Sequence, residues 1–182
     1  MTDFIYNQRD IPKEHWRYGL RSSAATGCGW IAVYNALHLL HRDVEIPSLI
    51  THLERQLPLI NGNLGTCFWG PARCFQQWGF PVKIYYDSRK FDLAAREAPA
   101  SILFYRWKKG CRFGAHFAAF RYNGSQFIGF NTFQHSSHPD PWGDSLPGFL
   151  GQHGYFGAIL ITIREPADHF SSPASAGKQS RI

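Results

Sequence analysis

The sequence predicts an α+β fold in which a central helix near the N-terminus packs on a largely antiparallel sheet. Helical patterns dominate the first half of the 182-residue chain and strand patterns the second half, an order typical of α+β proteins. The stretch Ala25–Leu40 is apolar nearly all round, which predicts a helix that other elements cover. An Asn-Gly pair between two apolar runs indicates an antiparallel hairpin in the second half.

The helices are predicted from apolar periodicity and from the residues that begin or end a helix. The first extends from about Gly27 to His41, with Thr26 as its N-cap. A second follows Pro47, and a third spans roughly Trp69–Trp78, where Gly79 ends it.

Strands are predicted where apolar, β-branched and aromatic residues cluster in the second half of the chain. The expected strands are PVKIYY (Pro81–Tyr86), SILFYRW (Ser101–Trp107), Ala115–Tyr122, Ser125–Asn131 and Tyr155–Ile163, with a short helix FDLAAREA between the first two.

We expect one domain at residues 1–165, in which residues 1–21 form an extended lead segment. The small, polar residues 166–182 are predicted to be a disordered tail. Four cysteines are too few for a disulfide scaffold, and no apolar run reaches about 18 residues. The N-terminus also lacks the layout of a secretory signal. These observations predict a cytoplasmic protein without a membrane partner, and they leave its oligomeric state open.

The basic residues suggest one possible contact with nucleic acid. The formal net charge is +6, and the densest basic patch is Arg106–Arg112, which includes a tryptophan. Nucleic-acid-binding surfaces also mix bases with aromatics. Short runs of this kind are more often solvated loops, so nucleic acid is the less favoured partner.

A cysteine opens the first helix in the motif TGCGW, Thr26–Trp30. The positive end of a helix dipole lowers a thiol pKa, and an adjacent imidazolium lowers it further. Gly27 and Gly29 allow close approach to Cys28, whose backbone N–H can serve as an oxyanion donor. The alternative is a structural cysteine, because free cysteines are often buried.

The hairpin in GAHFAAFRYNGSQFIGFN predicts a partner for this thiol. A two-residue type I′ turn at Asn123-Gly124 would pair Tyr122 with Ser125. The same register places His116 directly opposite Asn131, where the Asn amide oxygen can bind an imidazole N–H. Alternatively, His116 is a core histidine and Asn131 a turn former.

The face that carries this pair also carries Ala118 and Gly129 in the predicted register, small residues that would admit a helix. The other face is apolar as well, so both faces of the hairpin are expected to be covered. A helix that begins at Cys28 can then bring the thiol to His116 and Asn131, with cysteine as nucleophile, histidine as general base and acid, and asparagine orienting the ring.

The motifs TGCGW, GAHFAAF and IGFN together resemble those of the papain-like cysteine peptidase superfamily. They are closest to the compact bacterial branch related to double-glycine leader peptidases. The resemblance implies a papain-like fold, a peptide or amide substrate, and Cys28, His116 and Asn131 as a catalytic triad. It implies no metal and no organic cofactor.

The family usually has a glutamine six residues before the cysteine as the second oxyanion donor, and this chain has Ser22 there. Ser22 itself and Gln8 are the candidates for that role. Taken together, the three motifs and this resemblance predict a thiol hydrolase, that is, a cysteine peptidase or amidase. Two alternatives remain: transglutaminase-like acyl transfer at the same site, and a non-catalytic binding module on the same scaffold.

Overall fold

The structure is a computed structural model that describes residues 4–55 and 66–166. Two 3-10 turns lie at Gln8–Asp10 and Ser88–Lys90. Helices α1 to α6 span Ser23–Thr26, Cys28–Leu39, Ile46–Glu54, Gly70–Gln77, Phe91–Arg96 and Leu146–Gln152. Strands β1 to β8 span Arg17–Tyr18, Arg21–Ser22, Val82–Tyr85, Ala100–Lys109, Arg112–Tyr122, Phe127–Phe130, Asp140–Gly143 and Phe156–Ile163.

The larger sheet has the strand order β3-β8-β4-β5-β6-β7, and every neighbouring pair is antiparallel. One face packs on α2, α3 and α4 through a hydrophobic cluster that includes Phe117 and Ala119 of β5. The other face packs on α5 and α6 through a second cluster that includes Ala118 and Phe120. The α+β class, the antiparallel sheet and the coverage of β5 on both faces are therefore confirmed.

Helix α2 is central, as its apolar sequence predicts. All of its twelve residues except Cys28 and His38 are buried. Its one buried amide, Asn35, holds the lead segment: the side chain accepts from Ile5 N at 2.9 Å and donates to Ile5 O at 2.8 Å. A polar group inside the core is thus fully used to attach the start of the chain.

The predicted N-cap at Thr26 is wrong. The chain enters α2 from another helical turn, α1, and Gly27 occupies the cap position without a side-chain cap. The Gly27 N–H donates to Ser23 O at 2.8 Å, so the preceding turn already satisfies this group. The Thr26 hydroxyl is buried and has no hydrogen-bond partner among the described residues.

The predicted hairpin register is also wrong, because the two-residue turn lies one residue further along the chain. The turn residues are Gly124-Ser125, and Asn123 N donates to Gln126 O at 3.0 Å. Asn123 follows β5 and lies before the turn rather than in it, where its side chain accepts from the N–H groups of Ser125 and Gln126. Only Gly124 adopts a positive φ, 98°, in this turn.

The shifted register pairs Phe120 with Gly129, and β6 ends at Phe130, before any residue that would face His116. His116 and Asn131 are therefore not a cross-strand pair. Gly129 admits a side chain rather than a helix, because a Cβ at Gly129 would lie 2.2 Å from the ring of Trp142 on β7.

Several further elements were not predicted. The β1–β2 hairpin and the 3-10 turn Gln8–Asp10 interrupt the lead segment. Strand β7 and helix α6 follow in a stretch rich in His, Pro, Ser and Gly. This stretch is too short and too polar to show the hydrophobic periodicity of a strand or of a helix. Most of the predicted tail, residues 167–182, and most of the NGNLGT loop lie outside the described residues.

All four cysteines are free thiols: Cys67 and Cys74 are buried, Cys28 is half-buried and Cys111 is exposed. Within residues 4–55 and 66–166, no helix is long and apolar enough to cross a bilayer.

Candidate active site

The thiol of Cys28 lies at the first residue of α2, where the backbone is closely packed. A Cβ at Gly29 would lie 2.0 Å from the Thr66 hydroxyl oxygen, and one at Gly27 would lie 2.7 Å from the Trp30 ring nitrogen. The Thr66 hydroxyl donates to that of the buried Tyr18 at 3.0 Å. Close contacts with neighbouring side chains thus exclude a larger residue at either of the two glycines that flank the thiol. This requirement does not depend on any ligand.

The environment of Cys28 differs from the one expected at a bare helix N-terminus. Burial raises the pKa of the Cys28 thiol, and backbone hydrogen bonds from Phe117, Gly29 and Cys28 itself act in the opposite direction. Burial is the larger effect, so the thiol is protonated at neutral pH. The lowered pKa expected from the helix dipole is not what the folded environment produces.

His116 lies on β5, half-buried, directly opposite Tyr105 of β4. Its Nε2 is 2.6 Å from the main-chain carbonyl oxygen of Asn131. A carbonyl can only accept, so Nε2 carries the hydrogen and, in the neutral ring, Nδ1 is left as the basic nitrogen. Burial lowers the pKa of His116, and the bond to the Asn131 carbonyl opposes this. The ring is therefore neutral at pH 7.

Asn131 contacts His116 through its main chain rather than through its amide. It follows directly after β6 with a φ of 58°, in the left-handed region that Asn tolerates better than most residues. Its Oδ1 accepts from Gln8 N at 2.8 Å. Its Nδ2 is buried without a partner among the described residues. The predicted amide–imidazole bond is replaced by a carbonyl–imidazole bond.

The two candidates for the second oxyanion donor lie in different settings. Gln8 is held at the site: its Nε2 donates to Ala24 O at 3.1 Å, just before Cys28 in the chain. Ser22 is half-buried on β2, opposite Arg17. Gln8 contacts both Asn131 and the turn that leads to Cys28, whereas Ser22 has no hydrogen bond from its side chain among the described residues.

The thiol of Cys28 lies next to β5, the strand that carries the His116 ring. Cys28 packs against the hydrophobic cluster that includes Phe117, the residue that follows His116 on β5. No hydrogen bond joins the thiol to the His116 ring within the described part of the chain. Hydrogen bonds between catalytic groups are often long in a free enzyme and shorten when substrate binds.

A cavity of about 700 Å³ adjoins the imidazole. Gln8, His116 and Asn131 line it, together with Tyr105 and Tyr155, whose rings stack at 4.3 Å between centroids. Sequence reasoning did not identify these two tyrosines, and no motif marks them, because they reach the site only through the pairing of β4 with β5 and β8.

Comparison with protein-family models and with curated proteins gives no match. Among solved structures, the chain is similar to a double-glycine-motif protease from an AMS/PCAT transporter, crystallised in complex with the leader peptide. The TM-score is 0.50 and the identity 12%, over 87% of this chain and 95% of that chain. The chain has the papain-like fold of double-glycine peptidase domains.

A second similar structure is the peptidase domain of Streptococcus ComA, a bifunctional ABC transporter involved in quorum sensing. Its TM-score is 0.49 at 14% identity, over 76% of this chain and 91% of that chain. The fold shared with the double-glycine-motif protease confirms the predicted fold class and, at the level of the fold, the resemblance that the three motifs suggested. The roles of individual residues rest on the geometry described above.

Proposed function

We propose that this protein is a thiol hydrolase that cleaves a peptide or amide bond, with Cys28 as nucleophile and His116 as general base. The observation that carries the proposal is the bond from His116 Nε2 to the Asn131 carbonyl, 2.6 Å long. It fixes the neutral tautomer whose Nδ1 can accept a proton, on the strand whose next residue, Phe117, belongs to the cluster against which Cys28 packs. Asn131 is a positioning residue that acts through its main chain.

The raised thiol pKa and the lowered imidazole pKa favour a resting pair in which both groups are neutral. In the first step, Nδ1 of His116 takes the thiol proton while Sγ attacks the carbonyl carbon of the substrate. The resulting oxyanion faces the N–H of Cys28, with Gln8 as the candidate second donor. His116 then gives its proton to the leaving amine, and a thioester on Cys28 remains.

The second step decides between hydrolysis and transfer. If His116 deprotonates a water molecule, the thioester is hydrolysed to a free carboxylic acid and the thiol is regenerated. If an amine attacks instead, the product is a new amide, as in transglutaminase-like transfer. Both outcomes use the same residues, so hydrolysis is the simpler proposal, since water is always present.

The test uses a mixture of peptides from a digested proteome, incubated with the full chain and analysed for new termini by mass spectrometry. We expect new termini with the wild type and none with Cys28→Ala or His116→Ala. Cys111→Ala is the matched control, because Cys111 is exposed and lies outside the site. Cleavage that survives Cys28→Ala would contradict the proposal.

A second candidate is a non-catalytic peptide-binding module. It is favoured by the protonated thiol and by the absence, among described residues, of a hydrogen bond between Cys28 and the His116 ring. For this candidate we expect peptides to be retained by the wild type and by Cys28→Ala equally, with no new termini in either sample.

A further inference from the structure

The cavity beside His116 is strongly cationic. Among the described residues, four positively charged side chains line it, Arg9, Lys108, Lys109 and Arg112, and no Asp or Glu does. None of the four forms an ion pair with a described residue. By contrast, the exposed Arg42, Arg89 and Arg164 each bind a carboxylate at 2.9–3.0 Å.

Three of these cations lie at the end of the long β4–β5 hairpin. Lys109 is directly opposite Arg112, and Lys108 precedes them. Like charges in opposed positions of two strands repel and destabilise the pairing. The fourth, Arg9, reaches the same cavity from the 3-10 turn of the lead segment. Two separate parts of the chain thus concentrate positive charge at one opening, where an anionic ligand would relieve the repulsion.

The inner part of the cavity offers one donor and one acceptor. Asn131 Nδ2 and Gln8 Oε1 are both buried without partners among the described residues, and both residues line the cavity. Gln8 N also binds Asn131 Oδ1, so the two side chains are neighbours. A peptide unit supplies one C=O and one N–H, which are the two groups that this pair lacks.

The aromatic side chains of the cavity are already engaged with one another. Tyr155 stacks on Tyr105 at 4.3 Å and on His153 at 5.3 Å between ring centroids. Trp107 covers Gly114, whose Cβ would lie 2.6 Å from its ring. Proteins that bind single-stranded nucleic acid present free aromatic faces to the bases. This cavity therefore suits a peptide better than a nucleic acid.

We propose that this cavity binds an acidic segment of a peptide substrate. Glutamate or aspartate side chains of the segment bind the cations at the opening, and its backbone reaches Asn131 and Gln8. This inference rests on the proposed function and names the substrate class of the same site.

The test measures binding of a short fluorescein-labelled peptide in which glutamate alternates with alanine, together with its glutamine counterpart. A single-stranded oligonucleotide of equal charge is the third probe. All three are titrated against the full-length Cys28→Ala protein and followed by fluorescence anisotropy at low and moderate salt. We expect the glutamate peptide to bind at least ~10-fold more tightly than the glutamine peptide, with a difference that narrows as salt rises.

The variant Lys108→Gln/Lys109→Gln/Arg112→Gln should remove most of this preference, and Arg9→Gln alone should reduce it. The matched control, Lys83→Gln/Lys90→Gln/Arg121→Gln, makes the same charge change at exposed residues that do not line the cavity, and should keep the preference. Equal binding of the two peptides, equal loss in both triple variants, or tighter binding of the oligonucleotide would each overturn the proposal.

The result separates this inference from the proposed function. Acidic preference without Cys28-dependent cleavage supports the binding cavity and contradicts the hydrolase. Cleavage without acidic preference supports the hydrolase and overturns the cavity proposal.

Discussion

The thiol side and the imidazole side of the candidate site are built by different means. Cys28 lies at the start of a helix fixed by close packing, where Gly29 leaves no space for even a methyl group beside Thr66. His116 is held by a hydrogen bond to the main chain and faces a cavity of about 700 Å³. The comparison teaches that packing fixes the position of the thiol, whereas a hydrogen bond fixes which nitrogen of the imidazole is available.

The largest expected effect on stability is at the packed side. Gly29→Ala places its Cβ within 2.4 Å of two Thr66 side-chain atoms, and overpacking of this kind costs about 1–3 kcal/mol. We expect the free energy of unfolding in urea to fall by that amount. Gly151→Ala in α6 is the control, because its Cβ meets nothing within 4 Å. Equal stability of the two variants would show that Thr66 yields readily, and the account of the packed side would be wrong.

A smaller effect is expected at Asn131, where it is the difference in the free energy of unfolding between two substitutions. Both Asn131→Ala and Asn131→Gly remove the oxygen that accepts from Gln8 N, at a cost of about 1 kcal/mol. The glycine adopts the φ of 58° without strain, whereas in the alanine variant this conformation costs roughly 1–2 kcal/mol.

The glycine variant should therefore be more stable than the alanine variant in urea. It should also keep more of any acylation that depends on His116, since glycine holds without strain the φ that directs the main-chain carbonyl to the imidazole. If the two variants lose this acylation equally, the amide of Asn131 matters and the main-chain account is contradicted.

The smallest effect is a dependence of stability on pH. Burial lowers the pKa of His116 in the folded protein, while the unfolded chain keeps the ordinary value of about 6.5. Below that pH the unfolded state binds a proton that the folded state resists. The stabilising contribution is thus complete above about pH 6.5 and is lost as the pH falls.

His116→Gln should remove this loss, so that the wild type loses stability relative to the variant on acidification. Urea unfolding at a series of pH values measures the difference, with the exposed His15→Gln as control. Parallel curves for wild type and His116→Gln would refute the buried, neutral imidazole.

Sequence alone predicted the elements with long, regular patterns. Helix α2 is buried all round as its composition requires, and β4, β5 and β8 lie where apolar residues cluster. It also predicted that His116 and Asn131 meet, but for an incorrect reason. The position of the turn depends on Asn123, whose side chain accepts from two N–H groups and whose backbone does not adopt the left-handed conformation.

The chemistry of the thiol was less predictable. A helix N-terminus lowers a cysteine pKa when it is open to solvent, and the sequence shows the terminus but not the burial. Burial is decided by residues distant in sequence, such as Phe117, whose hydrophobic cluster packs against Cys28 only in the folded chain. The cationic cavity was missed because Arg9 lies about a hundred residues before the hairpin.

The most direct test of the central claim, that Cys28 and His116 act as one pair, is acylation by p-nitrophenyl acetate. The rate is followed by nitrophenolate release across pH, and the acetylated residue is identified by peptide mass spectrometry. We predict acetylation of Cys28 that develops below pH ~6.5, as neutral His116 becomes available. In His116→Gln it should rise only at alkaline pH, as the thiol itself ionises. Identical pH profiles for the two proteins, or acetylation only at Cys111, would contradict the account.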